Sequence, residues 1–131
     1  MKFKREEAEV RTIVENWAQA VRNRDISTIL AHHSQDMVMF DVPPPLQLSG
    51  IEAYRKTWDL FFKYTKPGVF DIQELQVAAD ENVAFCFALM KCEDKYRNKD
   101  FMPIDFRLTI GLEKIGGQWT ITHEHHSVPS E

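Results

Sequence analysis

The sequence predicts a single α+β domain, spanning residues 1–131, in which helices cover one face of a curved, mostly antiparallel sheet. Three observations predict it. Apolar residues recur at three- and four-residue spacing in the first half of the chain, and alternation with period two takes over in the second. No repeat, linker or low-complexity tract divides the two halves. The length of 131 residues, with 44% hydrophobic and 27% charged residues, fits one globular unit that folds alone.

Val10, Ile13, Val14, Trp17, Ala18, Ala20 and Val21 share one helical face, which predicts a helix over residues 5–23. Asp25 fits the N-cap of a short second helix carrying Ile26, Ile29 and Leu30. That helix is expected to end near His32-His33, where imidazoles suit the negative end of the helix dipole. Residues 37–42 form a brief strand, stopped by Pro43-Pro44-Pro45, which cannot donate to a sheet ladder. Ser49 and Glu52 have the spacing of a capping box and open a third helix over residues 51–63, with Tyr54, Trp58, Phe61 and Phe62 inward. Pro67-Gly68 is expected to end it. Strands near residues 69–78, 83–93, 101–113 and 118–127 then form a meander, turning at Asp80-Glu81-Asn82, Arg97-Asn98-Lys99 and Gly116-Gly117.

Several function classes are excluded at this level. No apolar stretch approaches the ~20 residues that span a bilayer, and Met1-Lys2-Phe3-Lys4-Arg5-Glu6-Glu7 lacks the apolar core of a signal peptide. Membrane and secretion are disfavoured, and the cytoplasm is the expected compartment. The net charge of −4, with both signs interspersed, offers no basic patch for nucleic acid. Cys86 and Cys92 fall six residues apart on one strand, so they face the same side about 20 Å from each other and cannot pair. They read as buried free thiols. There is no Gly-x-Ser-x-Gly and no glycine-rich loop before a helix, which sets aside serine hydrolases and phosphate-loop enzymes.

The candidate chemistry lies in a few polar residues set among apolar ones. Asp41 ends an apolar strand before the proline run; desolvation there would raise its pKa and make it a general base, the alternative being a turn cap. In Trp119-Thr120-Ile121-Thr122-His123-Glu124-His125-His126-Ser127, strict alternation puts His123 and His125 on one face and Glu124 and His126 on the other. A His-x-His pair can ligate a metal, and His32-His33 can complete the shell if the fold brings them close, but neither a third ligand nor hydrogen-bonded support around the ligands is identifiable, so no metal is expected. Asp105, Arg107 and Thr109 share a strand face, where Arg107 either binds a ligand carboxylate or is neutralised by Asp105, Glu124 or Asp41. Trp17, Tyr54, Trp58, Phe61 and Phe62 serve as core or as cavity lining.

From end to end the chain resembles the nuclear-transport-factor-2-like superfamily, above all its ketosteroid-isomerase-like and SnoaL-like branch. Trp17, Asn23-Arg24-Asp25, Phe40-Asp41, Ser49-Gly50 and Trp58 follow the isomerase spacing without a gap. The resemblance implies a cone-shaped α+β fold around one pocket, with Asp41 at the position of the catalytic base. It sets Trp17 at the position of the oxyanion-hole tyrosine and Trp58 at that of a supporting tyrosine. Pro103-Ile104-Asp105-Phe106 looks like the segment holding the isomerase's protonated aspartic acid, although Arg107 or Thr109 can take that register. The ending Gly117 through Pro129 is similar to the calcium/calmodulin-dependent kinase II association domain. That likeness implies an inward Glu124 and His126, with the Trp119, Ile121, His123 face against a neighbouring subunit.

The expected protein is thus a homodimer or higher oligomer binding a small, partly apolar carbonyl- or carboxylate-bearing molecule. If it is an enzyme, it is an isomerase, dehydratase or cyclase acting without a cofactor. Asp41 is then the base, Trp17 or Asp105 the hydrogen-bond donor, and Arg107, Glu124, His126, Tyr54, Trp58 and Phe62 line the ligand. The alternative is a non-catalytic ligand-binding or association module.

Overall fold

The computed structural model describes residues 3–96 and 98–130. Met1 and Lys2 of the expected leaderless start, and Arg97 of the expected turn, lie outside the described residues. Helix α1 (Lys4–Arg22) buries Val10, Val14, Trp17, Ala18 and Val21 against the sheet, as its spacing demands. Asp25 caps helix α2 (Ile26–Leu30), accepting from the Thr28 backbone N–H at 3.3 Å and the Thr28 hydroxyl at 2.6 Å. Between the two helices Arg24 adopts φ 55° and donates to the Phe62 and Thr65 carbonyls at 2.8 and 2.6 Å. That clamp ties the first half of the chain to the point where the third helix becomes a strand.

Strand β1 (His33–Phe40) begins four residues before the expected Met37, because His32 takes φ 66° and turns the chain directly out of α2. His33 is therefore a buried strand residue and not part of a helix end. A two-residue strand, β2 (Leu48–Ser49), precedes helix α3 (Ile51–Tyr64). The capping box does not form. Gly50 is the N-cap, at φ 90°, and its N–H donates to Met37 O at 2.8 Å, while Ser49 Oγ accepts from Gln47. Strand β3 (Thr65–Ala79) starts immediately after α3, so Pro67-Gly68 does not terminate the helix. It lies within an edge strand, where the missing proline N–H leaves no gap in a ladder.

Strands β4 (Val83–Asp94), β5 (Met102–Ile115) and β6 (Gln118–Ser127) complete a curved, open six-stranded sheet of order β2-β1-β6-β5-β4-β3. All neighbours are antiparallel except β1 and β6, which run parallel. The expected α+β architecture is therefore observed, with one parallel junction. No described helix is long and apolar enough to cross a membrane.

One irregularity sets the site. On β6, Leu112 pairs with Ile121 but Gly111 pairs with His123, so Thr122 is an extra, unpaired residue. Leu108, Ile110 and Leu112 of β5 all face the helices, and their partners His126, Glu124 and Ile121 therefore do too. Strict alternation fails here, and the expected outward Trp119 and Ile121 are corrected: both are buried in the core. Of that expected face only His123 turns outward, beside Phe40 and His125.

Candidate functional site

A cavity of about 680 Å³ opens between α3, the Asp41–Pro44 segment and the ends of β4 and β5. Its wall is mostly apolar and aromatic, including Met39, Trp58, Phe61, Ile104 and Phe106. Asp41, Thr57, Asp94 and His126 bring polar atoms to it. Beneath the cavity floor lies a sealed polar network centred on Glu124, which has no exposed surface.

Glu124 accepts from His126 Nε2 at 2.9 Å, from the Tyr54 hydroxyl at 2.6 Å and from His33 Nε2 at 2.5 Å. Trp17 Nε1–H in turn donates to the Tyr54 oxygen at 3.0 Å. Burial on its own would raise the Glu124 carboxyl. The hydrogen bonds from His126 and His33, with the charge those rings carry when protonated, outweigh it and hold the group at about 2, below the ordinary 4.5. Tyr54 is pushed well above 10, first by burial and then by the Glu124 charge. His33 Nδ1 faces the Ala31 carbonyl at 3.1 Å and its Nε2 faces the carboxylate, so the ring makes both bonds as a donor only in its protonated form.

His126 links this network to the cavity. Its ring stacks on Phe106 at 6.1 Å and stands edge-on to Trp17 and Trp58, each at 6.3 Å. Nε2 carries the proton donated to Glu124, so in the neutral ring Nδ1 is the accepting nitrogen. Nδ1 bonds to none of the described residues, yet it is not among the sealed, unsatisfied polar atoms, which are Ser34 Oγ, Trp58 Nε1 and Trp119 Nε1. It therefore opens to the cavity. Asp41 lines the same cavity. The parallel ladder pairs Met39 with Glu124 and ends at Phe40 with His125, and Asp41 and His126 follow that last pair. The Asp41 carboxylate accepts from Thr57 Oγ1 at 2.7 Å and from the Val42 N–H at 2.8 Å, and it is partly exposed at the mouth.

The structure thus brings Asp41, Trp58 and His126 to the cavity, with Glu124, Tyr54 and Trp17 behind His126. It does not bring Asp105 or Arg107 there. The Asp105 side chain is 81% exposed on the outer sheet face, 3.7 Å from Lys91 Nζ. Arg107, also outward, donates to Ser127 Oγ at 3.1 Å and pairs with none of its expected carboxylates. Phe62 packs beneath the Arg24 guanidinium, 5.0 Å away, and does not line the cavity. Trp17 spends its N–H on Tyr54. Thr57 and Asp94 were not anticipated from the sequence, and His33, weighed there only for a metal shell, instead holds Glu124. The signal for Thr57 was visible, one helical turn after Tyr54 and beside Trp58, but a threonine on an aromatic face carries no chemistry by itself. Cys86 and Cys92 are buried and unpaired as expected, their thiols pushed to about 12 by burial.

The family model for the SnoaL-like domain matches residues 10–131. An NTF2-like protein of unknown function from Pseudomonas putida KT2440 is 35% identical, with 95% of this chain and 87% of that one covered at a TM-score of 0.84. A ketosteroid isomerase-like protein of Erwinia carotovora atroseptica superposes at 0.82 with 18% identity, covering 98% and 100% of the two chains. The association domain of CaMKII from C. elegans superposes at 0.72 with 16% identity over 95% and 97%. No curated protein matches the sequence.

Proposed function

The chain belongs to the SnoaL-like family, and from that premise we propose that its cavity takes up a small, partly apolar organic molecule and moves a proton on it without a cofactor. The observation that carries this reading is the Glu124–His126 hydrogen bond, which holds His126 in the wall of the cavity that Asp41 also lines. Asp41 is the base, held by Thr57 and the Val42 N–H in one orientation. His126 is the second proton carrier. With its lone pair free it accepts; once protonated, the imidazolium rests against the Glu124 carboxylate and donates to the oxygen on which charge develops.

A base and a donor on one wall suit isomerisation or dehydration next to a carbonyl. This reading moves the donor role from Trp17 and Asp105 to His126. Exchange of the α-protons of 2-tetralone in D2O, followed by proton NMR, tests it. The wild type is expected to accelerate exchange, and Asp41→Asn and His126→Gln each to slow it by about 100-fold while the circular dichroism spectrum is unchanged. Undiminished exchange in Asp41→Asn removes Asp41 from the mechanism.

The outer face of β4 favours a second reading, in which catalysis is absent. Val83, Phe85, Phe87 and Leu89 stand there in one row, each about half exposed. A row of this kind joins two copies into a homodimer in our reading, and an association module needs only that face. Phe87→Glu then converts a dimer into a monomer in sedimentation. A wild-type monomer at micromolar concentration overturns this second reading.

A further inference from the structure

We propose that the molecule held in this cavity carries a cationic amine on an aromatic or otherwise apolar body. The inference rests on the cavity being a small-molecule site, and it adds the charge of the occupant. Two carboxylates, Asp41 and Asp94, line the cavity, and among the described lining residues there is no lysine or arginine. Among the described residues neither carboxylate has a cationic partner. The ion pairs among the described residues join Glu124 to His33 and His126, and Lys91 to Asp105. Asp41 is held only by a threonine hydroxyl and a backbone N–H.

Asp94 accepts from the Tyr96 backbone, yet burial wins and pushes its carboxyl above the ordinary value. That is the state expected of a carboxylate waiting beside an apolar wall with no cation near it. The remaining wall includes the rings of Trp58, Phe61 and Phe106, whose negative quadrupoles attract an ammonium. A third polar group points the same way: His126 is more than nine-tenths buried, and its free Nδ1 accepts an N–H from a ligand amine. An anion entering here would meet two like charges, with no lysine or arginine among the described lining residues to compensate them. Arg107, the group expected to receive a ligand carboxylate, stands on the outer face. The carboxylate-bearing ligand expected from the sequence is therefore replaced by one of opposite charge.

Three probes with one body test this: 4-phenylbenzylamine, 4-phenylbenzyl alcohol and 4-phenylbenzoate. Each is titrated into the full chain at pH 7 and low salt, followed by tryptophan fluorescence and by the NMR signals of Trp58 and His126. The amine is expected to bind about tenfold more tightly than the alcohol, with the carboxylate weakest. Its advantage should shrink severalfold in Asp94→Asn and at about 0.5 M salt. Equal affinity for amine and alcohol, or a preference for the carboxylate, overturns the inference and leaves the cavity reading standing. An amine advantage undiminished in both Asp94→Asn and Asp41→Asn also overturns it, because the carboxylates then do not select the ligand. Binding of none of the three overturns both the inference and the reading of the cavity as a ligand site.

Discussion

Replacing Glu124 with glutamine keeps the side chain's shape and removes its charge. The carboxyl is fully buried, and its pKa falls from 4.5 to about 2 on folding. The folded state therefore holds this proton less tightly than the unfolded state does. The ionised form contributes stability that is fully present above about 4.5 and is lost as pH falls through about 2. The drop corresponds to about 3 kcal/mol at pH 7, shrinking to roughly half of that at pH 3. Glutamine has no such titration, so the deficit of Glu124→Gln against the wild type should follow the same curve in urea unfolding at the two pH values. A deficit of equal size at both refutes the ionised, hydrogen-bonded anchor.

A second readout of the same variant isolates the His126 link. The amide oxygen must take the two donors His33 and Tyr54, so the amide nitrogen faces His126 Nε2 and donates to it. The imidazole proton then moves to Nδ1, and the accepting nitrogen at the cavity becomes a donor. Nitrogen-15 shifts of His126 report the tautomer, with Nε2–H expected in the wild type and Nδ1–H in the variant. An unchanged tautomer refutes Glu124 as the group that orients His126.

Ile121→Glu buries a carboxylate in the core of β6 and should cost more than about 4 kcal/mol, seen as unfolding well below the wild-type melting temperature. Phe87→Glu, on the half-exposed outer row, should stay within about 1 kcal/mol in the same scan. The buried Cys86 thiol, pushed to about 12, should resist 5,5′-dithiobis(2-nitrobenzoate) at pH 8 and react fully in denaturant. Arg24→Ala strips a charged donor from the Phe62 and Thr65 carbonyls and should cost about 2 kcal/mol by urea unfolding, with the cavity mouth loosened at the α3–β3 junction.

Periodicity made the element order legible, because a helical stripe such as Val10, Val14, Trp17 and Val21 has no other way to hide its apolar atoms. The boundaries that failed are those decided by long-range contact. Gly50 displaced the Ser49 cap because its N–H finds Met37 O across the β1–β2 pair, a partner that no local pattern reveals. His33 was read as a helix end because its partner Glu124 lies 91 residues away. Asp105 and Arg107 were read toward the pocket from a likeness of sequence, whereas on β5 the alternating neighbours Phe106, Leu108 and Ile110 take the inner face by hydrophobicity alone. These three apolar side chains in register outweigh the pull of two charged ones, and the charged pair goes to water.

The single extra residue Thr122 decides what the site contains. Without it, β6 would have to choose one parity along its whole length. Burying Trp119 and Ile121 would then bury His123 and His125 and expose Glu124 and His126, leaving His33 and Tyr54 with no acceptor in the core. Choosing the other parity would seat Glu124 and His126 but expel Trp119 and Ile121 from the core. Either alternative gives up an apolar half or a polar half. The bulge lets one strand serve both, an apolar wall at its start and a Glu–His pair at its end. It falls where β6 passes from pairing with His33 to pairing with Val38 on β1, the same place at which that parallel ladder shifts register. Both shifts meet at Thr122, so the residue that breaks the alternation is also the one that sets Met39 opposite Glu124 and Phe40 opposite His125, the last pair before Asp41 and His126 enter the cavity wall.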